Sequence, residues 1–121
     1  MEGLYLIHIR ELISLKKPIY KLGRSIDMDK QLLQYPIGSI VLFRMQCKES
    51  QKFKQILIKI FKEKFIQKKY YGTDYFEGDK DEMIKEIHDY LYICNTNKNL
   101  NIDNIADNVA NNVTDNSEDN L

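Results

Sequence analysis

The chain has 121 residues, 18 basic and 18 acidic side chains and a hydrophobic content of 43%, which is one domain's worth of sequence with no overall charge bias to announce a partner. The balance conceals two pieces: residues 1–94 carry 17 Lys and Arg against 13 Asp and Glu, whereas residues 95–121 carry one against five, hold all ten Asn and none of the 13 Tyr and Phe. The longest uncharged stretch, 31–43, is 13 residues and contains Pro36 and Gly38, which excludes a spanning helix of about 20 apolar residues.

Residues 3–9, with Leu4, Tyr5, Leu6, Ile7 and Ile9, are aromatic and β-branched enough to predict a strand. A loop is expected around 14–18, where Pro18 biases Lys17 towards extended geometry. Ile19, Tyr20, Lys21, Leu22 and Gly23 predict a second strand, and the two make a hairpin with a long connection. Asp27 suits an N-cap for a short helix over 28–33, stopped by Tyr35, Pro36, Ile37 and Gly38. Residues 39–45 alternate loosely and predict a third, well-buried strand.

From 48 to about 65 the period becomes helical. Phe53, Ile56, Leu57, Ile60, Phe61 and Phe65 fall on one face, and Lys52, Lys59 and Lys62 decorate the rest. Residues 68–72 break that helix and 74–79 read as a turn-rich connector. A last helix begins near Asp79 or Asp81, with Met83, Ile84, Ile87, Leu91 and Cys94 on its apolar side and acids facing the positive end of the helix dipole. The expected fold is therefore a small α+β domain over 1–94, a three-stranded antiparallel sheet flanked by three helices in the order β-β-α-β-α-α. Residues 95–121 contain a degenerate four-residue repeat rich in Asn and Asp and read as a disordered low-complexity tail.

The segment 44–69 holds nine Lys and Arg against Glu49 and Glu63, a basic surface suited to a phosphate backbone, with Tyr70 and Tyr71 available for stacking. Residues 74–89 carry seven acids against Lys80 and Lys85, and internal pairing with the basic helix would blunt that reading. His8 and His88 have no partner at metal-ligand spacing. Cys47 and Cys94 form no CxxC pair and read as small apolar residues. With no signal-peptide-like opening run, the expected setting is intracellular, away from membranes. No Ser-His-Asp grouping, Gly-rich phosphate loop or zinc pattern is visible.

Gly3-Leu4-Tyr5, then Tyr20-Lys21-Leu22-Gly23-Arg24-Ser25, then Asp74-Tyr75-Phe76-Glu77-Gly78 resemble, in order and spacing, the signature of the GIY-YIG endonuclease superfamily. The likeness is closest to its branch in phages and large DNA viruses, and it covers about residues 3–93. The resemblance implies metal-assisted cleavage of a DNA phosphodiester. Two tyrosines on neighbouring strands activate water or deliver a proton, an arginine on the first helix steadies the phosphate, and a glutamate on the long helix holds a divalent cation. Carried over, Tyr5 and Tyr20 match the two tyrosines and are the catalytic candidates if the chain is active. Gly23 matches the glycine and is otherwise a structural turn residue. The arginine position falls on Gln31, with Lys30 beside it, and the glutamate position on Lys54. No metal-ligand set is carried over, because a lysine where a cation should bind reverses the local field.

The leading expectation is thus a GIY-YIG-like domain that binds DNA through Arg24, Lys30, Lys59 and Lys62, with endonuclease activity lost or impaired and no cofactor, small molecule or membrane involved. One alternative is a working or weak nuclease using Mg²⁺ or Mn²⁺ held by Glu49, Glu63 or Glu77. Another is a protein-interaction module, or a decaying viral or mobile-element product, and a viral origin would place the chain in the host cytoplasm or nucleus.

Overall fold

A computed structural model describes residues 1–96 of the chain, so the Asn/Asp-rich repeat predicted beyond them lies outside the described residues. In chain order the elements are β1 (Gly3–His8), α1 (Arg10–Ser14), β2 (Ile19–Ser25), α2 (Met28–Leu32), β3 (Ile40–Gln46), α3 (Ser50–Lys64), β4 (Ile66–Gln67), β5 (Tyr75–Glu77) and α4 (Lys80–Thr96). The strands form one antiparallel sheet in the order β3-β1-β2-β5-β4. The α+β class is as expected, but the sheet has five strands rather than three and four helices accompany it. No helix among the described residues is long and apolar enough to cross a membrane.

The added elements are short ones that periodicity cannot register. β5 is three residues and β4 two, too few to display alternation, so the stretch read as a connector extends the sheet by pairing Tyr75, Phe76 and Glu77 with Lys21, Tyr20 and Ile19. α1 spans five residues within the β1–β2 connection, has no side-chain cap and buries only Leu12. The cap at α2 is as predicted: the Asp27 side chain accepts a hydrogen bond from the Lys30 backbone N–H.

β1 reads Leu-Tyr-Leu-Ile because it is central: it pairs with β2 on one side and β3 on the other and is buried on both faces. β3, predicted to be well buried, is instead an edge strand, with Ile40 and Val41 exposed. Its low charge resembles a core sequence, but only one of its edges is paired.

The sheet separates two cores. On one side α3 and α4 bring Phe53, Leu57, Ile60, Phe61, Met83, Ile87 and Leu91 onto Leu4, Leu6, Tyr20, Leu22 and Phe76. These are the apolar stripes expected of the two long helices, and each fully buried Leu or Phe contributes about 1.5–3 kcal/mol. On the other side a smaller core holds Tyr5, Ile7, Ile9, Leu12, Ile19 and Met28, with Leu32, Tyr35, Tyr71 and Tyr75 packed against it. Cys47 and Cys94 are buried free thiols of the larger core. Burial, the leading cause, pushes Cys47 up to about 11, where it is inert as a nucleophile.

Gly23 is not a turn glycine. It lies in β2 directly across from Tyr5, whose ring rests on its backbone: a Cβ at Gly23 would stand 2.3 Å from Tyr5 Cζ and 2.6 Å from its hydroxyl oxygen. Gly23→Ala is therefore expected to lower unfolding stability by about 1–3 kcal/mol through overpacking, measurable as a reduced urea midpoint with an unchanged slope.

Candidate functional site

The pairing of β1 with β2 determines which side chains meet. Tyr5 faces Gly23 and Ile7 faces Lys21, and side chains alternate along a strand. Ile19 and Lys21 therefore share the face of Tyr5, while Tyr20, Leu22 and Arg24 point to the other. The burial of the two cores agrees, with Tyr5 in the smaller and Tyr20 in the larger. The two tyrosines expected side by side are thus on opposite faces of the sheet. Tyr20 lies in the α3/α4 core, its ring 4.5 Å from that of His8.

The residue that accompanies Tyr5 is Lys21. The Tyr5 and Tyr35 hydroxyls share a hydrogen bond of 2.8 Å, and their rings meet edge to face. Lys21 Nζ lies 5.1 Å from the Tyr35 ring centre and 5.8 Å from that of Tyr75, within cation–π range. Tyr75 in turn contacts Tyr71, and Tyr71 contacts Tyr70. Lys54 on α3 joins this group through Asp74, 3.0 Å from its Nζ. Asp74 is anchored because its backbone carbonyl accepts the Leu22 N–H at 2.9 Å.

The electrostatics of the group favour a cation beside neutral phenols. Burial, then the hydrogen bond to Tyr35, raises the Tyr5 pKa far above the ordinary tyrosine value, so Tyr5 remains a protonated phenol rather than a base. For Lys21, burial acts to lower the pKa, but Tyr35, Asp74 and Tyr75 outweigh it and the net shift is upward. Lys21 stays charged, with no carboxylate at ion-pair distance among the described residues.

The other predicted contacts are dispersed. Arg24 is half-buried on the α3 side, where its Nε donates to Ser50 Oγ at 3.0 Å and its guanidinium lies 3.9 Å from Glu2. Glu2 also accepts from the Ser50 N–H and hydroxyl, which hold its carboxyl below the usual range. Arg24 is therefore engaged at the start of α3 rather than presented to a phosphate. Lys30 is exposed on α2 and Gln31 half-buried beside it. Lys59 and Lys62 are exposed on the outer side of α3, the layer opposite Tyr5.

Part of the basic segment pairs internally with the acidic one: Lys54 with Asp74, Lys68 with Glu77 and Lys64 with Glu86. Lys59, Lys62 and Lys69 form no ion pair among the described residues. Glu49 is the left-handed N-cap of α3, Glu63 is exposed, and Glu77 is held by Lys68. Among the described residues no three His, Cys, Asp or Glu converge at metal-ligand distance. At the position where the resemblance calls for a metal-holding glutamate, the donor set does not fit a divalent cation: an ammonium stands there, and the nearby carboxylate is already bound to it.

Of the other members of this group, Lys21, Asp74 and Tyr75 stand inside the quoted motifs without a role assigned to them, and Tyr35 lies outside the motifs. The signal for Lys21 was the period-2 alternation of β2: once Gly23 is placed against Tyr5, the residue two positions earlier, not three, shares its face. Comparison with protein families, curated proteins and solved structures finds no match to this chain.

The raised Tyr5 pKa has a sign that can be measured. A group whose folded pKa lies above its unfolded value contributes stability that is present below the unfolded value, about 10 for tyrosine, and lost above it, by up to about 1.4 kcal/mol per pH unit. The upward shift of Lys21 acts in the same direction above its own ordinary value. Tyr5→Phe removes the Tyr5 share, so its urea-unfolding free energy is expected to fall less steeply than that of the parent between pH 10 and 12. Equal slopes would show that the phenol is not held as described.

Proposed function

We propose that this chain is a GIY-YIG-like DNA-binding domain in which endonuclease chemistry is lost or impaired. The reading rests on the residues of the resemblance and on one structural observation: the Lys21 ammonium lies over the Tyr35 and Tyr75 rings beside Tyr5, and the neighbouring Asp74 carboxylate is paired with Lys54. A phosphodiester resists attack because its charge repels nucleophiles, and hydrolysis needs both a base and a counter-charge for the developing negative charge. Here Tyr5 is too weak an acid to supply an anionic base, and the Asp74 carboxylate is occupied by Lys54. What remains is attraction of a phosphate to Lys21, steadied by phenol hydroxyls that donate hydrogen bonds. Such a site holds a phosphodiester without cutting it.

Lys59 and Lys62, on the outer side of α3, extend the positive potential over a second surface and favour long-range attraction to a duplex. Lys30 adds charge on the α2 side. None of these contacts reads bases, so affinity without strong sequence preference follows.

The test is supercoiled plasmid incubated with the protein at low salt, with and without Mn²⁺. Retarded plasmid that stays supercoiled under both conditions is expected. Metal-dependent nicking that Tyr5→Phe abolishes would replace this reading with the nuclease alternative. Stable protein that leaves plasmid mobility unchanged would favour a protein-interaction role. Separately, Lys59→Glu with Lys62→Glu is expected to weaken duplex binding and to flatten the log–log salt dependence by roughly 0.9 per phosphate contact removed, as read by fluorescence anisotropy across a salt series. An unchanged slope would remove the outer side of α3 from the interface.

A further inference from the structure

We propose that the face carrying Tyr5 is built for unpaired nucleotides, so that the chain binds single-stranded nucleic acid in preference to duplex. This rests on the DNA-binding reading above and names its substrate class. The carrying observation is a run of five tyrosines with a lysine inside it. Tyr70 meets Tyr71 at 5.0 Å between ring centres and Tyr71 meets Tyr75 at 6.0 Å. Lys21 lies between Tyr75 and Tyr35, and Tyr35 meets Tyr5 at 6.0 Å.

The run grades from buried to open. Tyr5 is 2% exposed, Tyr35, Tyr71 and Tyr75 are half-buried, and Tyr70 is 89% exposed. A large aromatic side chain at that exposure gains nothing from the core, yet its position is set by the loop between β4 and β5. The Tyr71 and Gly72 N–H groups both donate to the Lys68 carbonyl, the Lys68 N–H donates to the Tyr75 carbonyl, and Gln67 Nε2 donates to the Thr73 carbonyl at 2.7 Å. The loop is closed by its own bonds and holds Tyr70 at its tip.

Charge selects the occupant. Asp74 is neutralised by Lys54, Glu77 by Lys68 and Glu11 by Arg10, which leaves Lys21 beside the rings without an ion-pair partner among the described residues, and Lys69, exposed and next to Tyr70 in sequence, likewise without one. Phenol faces for bases, alternating with ammonium groups for phosphates, is the arrangement that single strands use, because every unstacked base offers a π-face. A duplex hides those faces in its stack and presents only its backbone. The outer side of α3, which has lysines but no exposed aromatic residue between Ser50 and Lys64, suits a duplex instead, so the two surfaces are separable by substitution.

The test compares anisotropy titrations of the full chain with a fluorescent single-stranded DNA, the same sequence as RNA, and the matching duplex. Tighter binding of the DNA or RNA single strand than of duplex is expected. Tyr70→Ala should lower single-strand affinity about ten-fold, the size of one lost base stack, while duplex affinity holds. Tyr70→Phe should retain the single-strand affinity, because the ring and not the hydroxyl is used. Tyr70 is exposed at a loop tip, so these variants leave the core untouched, and a circular dichroism melt confirms that they fold. Parent protein that prefers duplex, or a Tyr70→Ala variant that binds single strands as the parent does, would overturn this inference while leaving DNA binding in place. Failure to bind any of the three at low salt would overturn it together with the proposed function.

Discussion

The arrangement of this domain depends on one close contact, the Tyr5 ring lying across the backbone of Gly23. Strand pairing by itself permits slippage, and a slip of one residue would send each side chain of β2 to the opposite face. With any side chain at position 23 the phenol could not occupy its place. The missing Cβ thus favours one register, and that register sends Lys21 to the Tyr5 side and Arg24 to the α3 side. It also brings the Tyr5 hydroxyl to Tyr35, which gives a buried phenol a hydrogen-bond partner instead of leaving it unsatisfied at a cost of about 1–3 kcal/mol.

Charge is organised around that sheet in a way that composition does not show. Among the described residues, the basic segment through α3 and the acidic segment through β5 and α4 meet through Lys54 with Asp74, Lys68 with Glu77 and Lys64 with Glu86. Partly exposed pairs of this kind contribute only about 0–1 kcal/mol each to stability. Their larger consequence is selection: by neutralising particular lysines they decide which cations remain to meet an anion. Lys21 is left beside the tyrosines, Lys69 exposed next to Tyr70 in sequence, and Lys59 and Lys62 on the far layer. In the proposed reading these become two surfaces, one aromatic and one purely basic.

A phosphate-binding site and a phosphate-cleaving site share most of their charge requirements and differ in what supplies the nucleophile. Burial holds Tyr5 protonated, and Lys54 holds Asp74 in an ion pair. Both effects reduce the basicity available to a reacting water. In the proposed reading they leave the Lys21 ammonium to attract a phosphodiester while removing the base that hydrolysis would need.

The long-period features were legible from residue order alone. The apolar stripes of α3 and α4 and the continuous apolar run of β1 each repeat a local rule over enough residues to stand above chance, and they yield the α+β class; the Asp27 cap was legible because it needs only a partner three residues on. The two- and three-residue strands β4 and β5 were not legible, because elements so short exist only through the partners they pair with. The exposure of β3 was hidden for a related reason: a largely apolar strand, with Arg44 its one charge, looks buried until the sheet order places it at an edge. At the candidate site, Tyr5 and Gly23 stand in the quoted motifs, but the β2 residue that shares the face of Tyr5 is Lys21, not the expected Tyr20. Adjacent residues of a strand point in opposite directions, and only cross-strand register decides which of them faces a given partner. Register, sheet order and the pairing of distant charges are relations between segments far apart in the chain, and these were decided by tertiary structure.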